Sequence, residues 1–387
     1  MGGSVAAEPG LRGSFWPNRI QTELLRAGLF EAPEAIASWR SVRSMVDLDD
    51  LDDESLRLLP LVYANLRRLD VDDPEMGRLK GIYRKTWFEN ELAFHRLAEA
   101  LTSFHASGIS TTLLKGAALI DLYYRDRGSR SMHDIDLLIP MERWSDAVDI
   151  LGRLDWHSRP ERFKGVPQFR YEWEFKHREG YRIDLHWHVI AYMLRADREL
   201  AGTDGWPRLL SQDVAGVATH VLDHPDELIH VCLHGARTWP VGNLVWAADA
   251  MKVLEREPNL DWDRVLSVCA VHRCSRAIGE ALLFLSHKLR APIPRSTIQA
   301  LRSARVSRRE ALGYALTSGP EREPRFFHRM VRAMGHYVRL TAAWPIVDAV
   351  SGLPRYLQEL QDLDQRSQVP IASLRRLLRP ATSQSDG

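Results

Sequence analysis

Three aspartates in two stretches carry the chemistry that this sequence can do. Asp134 and Asp136 flank Ile135 in the run Asp-Ile-Asp-Leu-Leu-Ile, and Asp184 sits in Arg-Ile-Asp-Leu-His-Trp at 182–187. Successive side chains of a β-strand point to opposite faces, so Asp134 and Asp136 share one face while Ile135 and Leu137 share the other. The same alternation groups Arg182, Asp184, His186 and His188 against Ile183, Leu185, Trp187 and Val189. Carboxylates gathered in this way raise one another's pKa, and they stay ionised only beside cations. Hard oxygen ligands suit Mg²⁺ or Mn²⁺, and two such ions can activate an attacking hydroxyl and stabilise a departing pyrophosphate. In this reading Asp134 and Asp136 bridge the metals. Asp184 holds the ion that activates the acceptor and helps take its proton, with His186 supporting Asp184 from behind.

Two further features lie within reach of a phosphate. Lys115-Gly116 falls between a strand and a helix, where backbone N–H groups can face an anion that the glycine lets approach, and Lys115 adds charge. Arg130, four residues before Asp134, either holds a triphosphate oxygen by charge-assisted hydrogen bonds or clamps Asp134 or Asp136. His230 and His234 are one helical turn apart, a spacing that suits a metal, but no third ligand follows in register and a core or groove-lining pair is the better reading. Trp173, Trp187, Trp239, Trp246 and Trp262 read mostly as core. The basic groups Arg305, Arg308, Arg309 and Arg375, Arg376, Arg379 fit contact with RNA or phosphates and solvated helix faces equally well, and no polynucleotide function is assigned from them.

The elements that position these residues follow from periodicity. Residues 17–107 read as helical, most clearly from Met76 to His105, where Leu79, Ile82, Tyr83, Trp87, Leu92, Leu97, Leu101 and Phe104 form an apolar stripe that Ser107-Gly108 ends. The pattern then shortens. Thr111–Leu114 predicts a strand, Ala117–Tyr124 a helix, Asp134–Ile139 a strand and Glu142–Leu154 a helix. Arg170–His177 and Tyr181–Val189, joined by Arg178-Glu179-Gly180, predict a hairpin. Helices return from Pro225, are broken by Pro292, Pro294, Pro345 and Pro354, and give way after Arg379 to a disordered polar tail. The expected fold is α+β, a small mixed sheet with flanking helices. The expected divisions are an N-terminal helical region (1–107), a catalytic core (108–200), a helical acceptor-side domain (201–295) and a C-terminal helical extension (296–387).

At these motifs the chain resembles the uncharacterised nucleotidyltransferase family of the DNA polymerase beta-like superfamily. Lys-Gly, Arg-x-x-x-Asp-x-Asp and hydrophobic-Asp-Leu-His-Trp carry the resemblance from Leu113 to about Ile190. It extends more weakly through Asp226-Glu-Leu-Ile-His and Asp261-Trp to about Pro294. The resemblance implies a palm-like sheet, two Mg²⁺ ions and transfer of a nucleoside monophosphate from an NTP. Lys115 and Gly116 match its phosphate turn, Asp134 and Asp136 its metal pair, and Asp184 its third carboxylate.

Composition narrows the partners. With 387 residues, 45% hydrophobic and 27% charged, the chain exceeds one core and most of it should fold. A net charge of +1 supplies no global field to gather nucleic acid, so a small-molecule, peptide or glycan acceptor is expected. Cys232, Cys269 and Cys274 have no metal-type spacing and read as buried free thiols of a reducing cytoplasm. No export signal, lipidation signal or transmembrane run is read. Two other functions fit the same residues: transfer of a phosphoryl group or sugar, and an inactive fold that binds a nucleotide or a partner.

Overall fold

The computed structural model describes residues 16–158, 172–189, 207–235 and 244–306, and residues 308–372 in part. They gather into two compact units, each made of three separate stretches of chain.

One unit comprises Leu92–Ala118, Met132–Asp223 and Arg322–Gly387 and holds a sheet that has seven strands among the described residues. Its strands are β1 (Thr112–Leu114), β2 (Ile135–Leu138), β3 (Trp156–Ser158), β4 (Glu172–His177), β5 (Arg182–His186), β6 (Leu209–Val214) and β7 (Val217–Leu222). Their order is β3-β4-β5-β2-β1-β7-β6. β2 runs parallel to β5 and β1 parallel to β7, and the other neighbours are antiparallel, so the sheet is mixed, as the α+β expectation requires. Ile135, Leu137, Ile183, Leu185 and Phe175 are all buried. The helix Trp144–Arg153 packs here, with the Trp144 ring 4.9 Å from Trp187 in an edge-on contact.

The helix Met76–Ala106 ends as its sequence predicts. Gly108 takes φ +68°, its N–H reaches the His105 carbonyl, and the Ile109 N–H reaches that of Phe104, a pair of bonds that satisfies the last carbonyls. Its predicted stripe is only partly buried: Leu79, Leu97, Leu101 and Phe104 are inaccessible, whereas Trp87 is 46% and Leu92 37% exposed. The five-residue step from Trp87 to Leu92 carries these two positions off the buried side.

The β6–β7 hairpin falls at the start of the stretch expected to be a helical domain (201–295), ahead of the helices predicted from Pro225. Its two-residue turn, Ala215-Gly216, has positive φ at both positions, the twist that a tight hairpin requires. Alanine seldom adopts that conformation, so the usual Asn-Gly or Asp-Gly signal is missing. Pro354, expected to break a helix, lies inside Ile346–Gln361, where Tyr356 packs on Tyr337 and donates to the Ala333 carbonyl at 2.6 Å. The predicted tail after Arg379, together with Trp239, Arg309, Arg375 and Arg376, lies outside the described residues.

The other unit, Met1–Glu91, Leu119–Ser131 and His224–Glu321, is helical. Phe284 stacks on Trp16 and approaches Trp246 at its centre. Asp226 is inaccessible and accepts two hydrogen bonds from Arg264, while Asp261 caps Trp262–His272, which gives both weaker motifs structural work. Cys232, Cys269 and Cys274 are buried free thiols. Among the described residues no helix is long and apolar enough to cross a membrane.

Candidate active site

Strand register builds the site. On parallel strands β2 and β5, Asp136 pairs with Asp184 and Leu138 with His186. Antiparallel β1 pairs Leu114 with Asp136, so the next residue, Lys115, arrives beside that aspartate. β4 closes the other side, with Glu174 opposite Asp184 and Glu172 opposite His186. Alternation then places Asp136, Asp184, His186 and Glu172 on one face.

The contacts centre on Asp136, which is 1% exposed. Its Oδ1 accepts from the Lys115 ammonium at 2.5 Å and from His186 Nε2 at 2.9 Å. Its Oδ2 is buried and has no hydrogen-bond partner among the described residues. His186 Nε2 also lies 3.5 Å from Glu172 Oε2. Lys115 holds φ +48°, a left-handed backbone that costs a residue with a side chain on the order of 1 kcal/mol or more.

These groups set one another's charge. Burial opposes ionisation of Asp136, but the Lys115 ammonium and the His186 hydrogen bond outweigh it, and the carboxyl falls well below the usual carboxylate range. Asp184 goes the other way, pushed up to about 8 by burial and then by the charges of Asp136, Glu172 and Asp134, with Lys115 opposing. Burial would neutralise Lys115, but Asp136 and Glu172 raise its pKa and keep it charged. An ionised Asp136 only accepts, so the His186 nitrogen facing it carries a proton and cannot at the same time ligate a metal.

Asp136, Asp184 and His186 have ligand atoms within 4.8 Å of one another, the group among the described residues that could hold a metal ion. The donor set suits a divalent cation: two carboxylates side by side, one with a buried oxygen that lacks a partner. Asp134 immediately precedes β2 and lies outside this group, though its charge bears on both Lys115 and Asp184. The support expected for Asp184 from His186 is found on Asp136. Gly116 is buried at the β1–helix junction, where Lys115–Leu119 is helical and Ile120–Tyr124 continues as a π-turn. Arg130 belongs to the other unit, where its guanidinium grips Asp249. His230 is inaccessible and its ring lies 6.2 Å from that of His234, in keeping with a core pair.

Residues 54–290, more than half of the chain, match the family described as uncharacterised nucleotidyltransferase. The chain belongs to this family. In this member of the uncharacterised nucleotidyltransferases, the matched span includes every residue of the site just described. Among curated proteins none matches the chain. Two solved structures are similar to it. One is the antibiotic-resistance factor ANT(2'')-Ia, solved in solution with substrate-regulated conformation dynamics: 15% identity, TM-score 0.31, covering 58% of this chain and 97% of that one. The other is an antigenic nucleotidyltransferase-like protein from Paracoccidioides brasiliensis: 14% identity, TM-score 0.33, covering 52% and 95%.

Sequence reasoning missed Glu172. Its signal is the alternation Glu172, Glu174, Lys176 in a segment already read as a hairpin strand. Placing Glu172 opposite His186 also needs the register, which the Arg178–Gly180 turn sets and composition does not reveal.

Proposed function

We propose that this chain transfers a nucleoside monophosphate from an NTP to an acceptor hydroxyl or phosphate, with Asp134, Asp136 and Asp184 holding two Mg²⁺ or Mn²⁺ ions. The observation that carries the reading is Asp136, whose buried Oδ2 has no hydrogen-bond partner beside an Asp184 carboxyl pushed up to about 8. A buried acceptor left unmade is costly, and so are two carboxylates side by side; cations between them relieve both costs. Ions bound there would acidify the acceptor hydroxyl and stabilise charge on the α-phosphate and the departing pyrophosphate.

The chain's own groups do the rest. His186 holds Asp136 in orientation. Asp184, beside Asp136 on the parallel neighbour strand, would hold the ion that activates the acceptor and help take the acceptor's proton. Lys115 and the backbone at Gly116 face the phosphates at the β1–helix junction. Arg130 is assigned a structural role, because Asp249 engages its guanidinium. A net charge of +1 favours a small-molecule, peptide or glycan acceptor over nucleic acid, and three buried free thiols suit a reducing cytoplasm.

Cell extract incubated with the chain, Mg²⁺ and α-labelled NTPs tests the reading. Label should enter an acceptor with release of pyrophosphate, and Asp136→Asn should abolish it. Full transfer by that variant overturns the assignment, and label entering the acceptor from γ-labelled but not from α-labelled NTP would make the chain a phosphoryl transferase.

A further inference from the structure

Asp136 uses its two oxygens unequally. Oδ1 accepts from Lys115 and His186, whereas Oδ2 has no hydrogen-bond partner among the described residues. The chain's own ammonium and imidazole occupy Oδ1, which leaves Oδ2 as the oxygen open to a cation. We propose that Lys115 is a built-in counter-ion of Asp136 that restricts the nucleotide-free site to one divalent cation, held by Asp136 Oδ2 and Asp184.

The placement of Lys115 supports this. It is the first residue after β1, and the register of Leu114 with Asp136 brings its side chain onto that carboxylate. Its left-handed φ is paid in backbone strain at a position where glycine would sit without cost, and strain of this kind persists where the surrounding structure holds a residue for use. The Lys115 side chain is 19% exposed and that of Asp136 1%, so the two pair largely away from water, where an ion pair is screened least.

While Lys115 and His186 hold Oδ1, Oδ2 and the adjacent Asp184 carboxyl are left to a cation, and an NTP triphosphate would offer Lys115 a replacement partner. This inference rests on the metal-centre reading above.

Mn²⁺ binding to the full chain, counted by electron paramagnetic resonance without nucleotide, tests it. The wild type should bind one ion, Lys115→Met two, and Lys115→Arg one, because arginine restores the charge. Methionine keeps an unbranched side chain of nearly the same length without the charge, and a melting curve on each variant checks that it is folded. Asp184→Asn should lower the affinity for the wild-type ion. A wild-type count other than one, or an unchanged count in Lys115→Met, overturns the proposal but leaves a metal centre. Absence of Mn²⁺ from every variant overturns the metal centre itself.

Discussion

Arg130 and Asp249 form a two-pronged ion pair: Nε donates to Oδ1 at 2.7 Å and Nη2 to Oδ2 at 2.8 Å, with both side chains about 95% buried. The Tyr124 hydroxyl donates to the same Oδ1 at 2.8 Å, and Asn90 holds the Arg130 carbonyl. This joins the loop before β2 to the helix Trp246–Arg256 within the helical unit.

Removing one partner leaves the other as an uncompensated buried charge. Arg130→Met or Asp249→Leu should each cost about 3–5 kcal/mol in urea unfolding, and the double variant should recover much of that loss. Arg130→Lys should also be destabilising, since an ammonium cannot reproduce the planar fork. A folded Arg130→Met variant with unchanged NTP affinity would agree with the structural role.

Asp136→Asn and Asp184→Asn each remove a charge from the proposed metal centre. Several kcal/mol of transition-state stabilisation are at stake, so transfer should fall by about a thousandfold or more in either variant. Initial-rate measurements with labelled NTP give the comparison. His186→Ala should fall less, because it removes the hydrogen bond that orients Asp136 and no carboxylate.

The raised Asp184 pKa predicts how stability depends on pH in chelated protein. An unfolded aspartate titrates near 3.9, so between about 4 and 8 the folded chain holds a proton that the unfolded chain has released. Folding is therefore favoured most at the acid side of that window and loses this contribution as the pH rises through about 8. Urea midpoints measured from pH 5 to pH 8 with EDTA should fall accordingly. Asp184→Asn should flatten the trend, Glu172→Gln should move it to lower pH, and excess Mg²⁺ should oppose it.

A methyl group at Gly235 would land on the Cβ and Cγ of Trp246, too close to the backbone for a rotamer change to relieve. Trp246 is buried against Phe284, so the indole has little room to retreat. Gly235→Ala should cost about 3 kcal/mol, read from the urea midpoint, whereas Gly152→Ala, which meets nothing within 4 Å, should cost little.

Local pattern carried the sequence reading well where one element settles the matter. The helix Met76–Ala106 ends one residue from its predicted limit, and alternation alone puts Ile183 and Leu185 in the core and Asp184 on the other face. Alternation puts Asp184 on a face that can join the aspartate pair, but that Asp136 is its direct neighbour depends on parallel pairing across an intervening helix and two strands, and that Asp249 meets Arg130 depends on a contact 119 residues apart that no local pattern carries. Lys115 was read as a charge for phosphate; its grip on Asp136 follows from a β1–β2 register that no spacing in the chain announces.

The β1–β7 pairing bears on synthesis. β1 is flanked by β2 on one side, but its other edge waits for a strand that begins at Val217. During translation an apolar edge, with Leu113 and Leu114 beside it, stays open to solvent long after both aspartate strands have left the ribosome. Such edges invite pairing with other chains. A stop codon placed before residue 217 should therefore yield an insoluble fragment even though every proposed ligand is present.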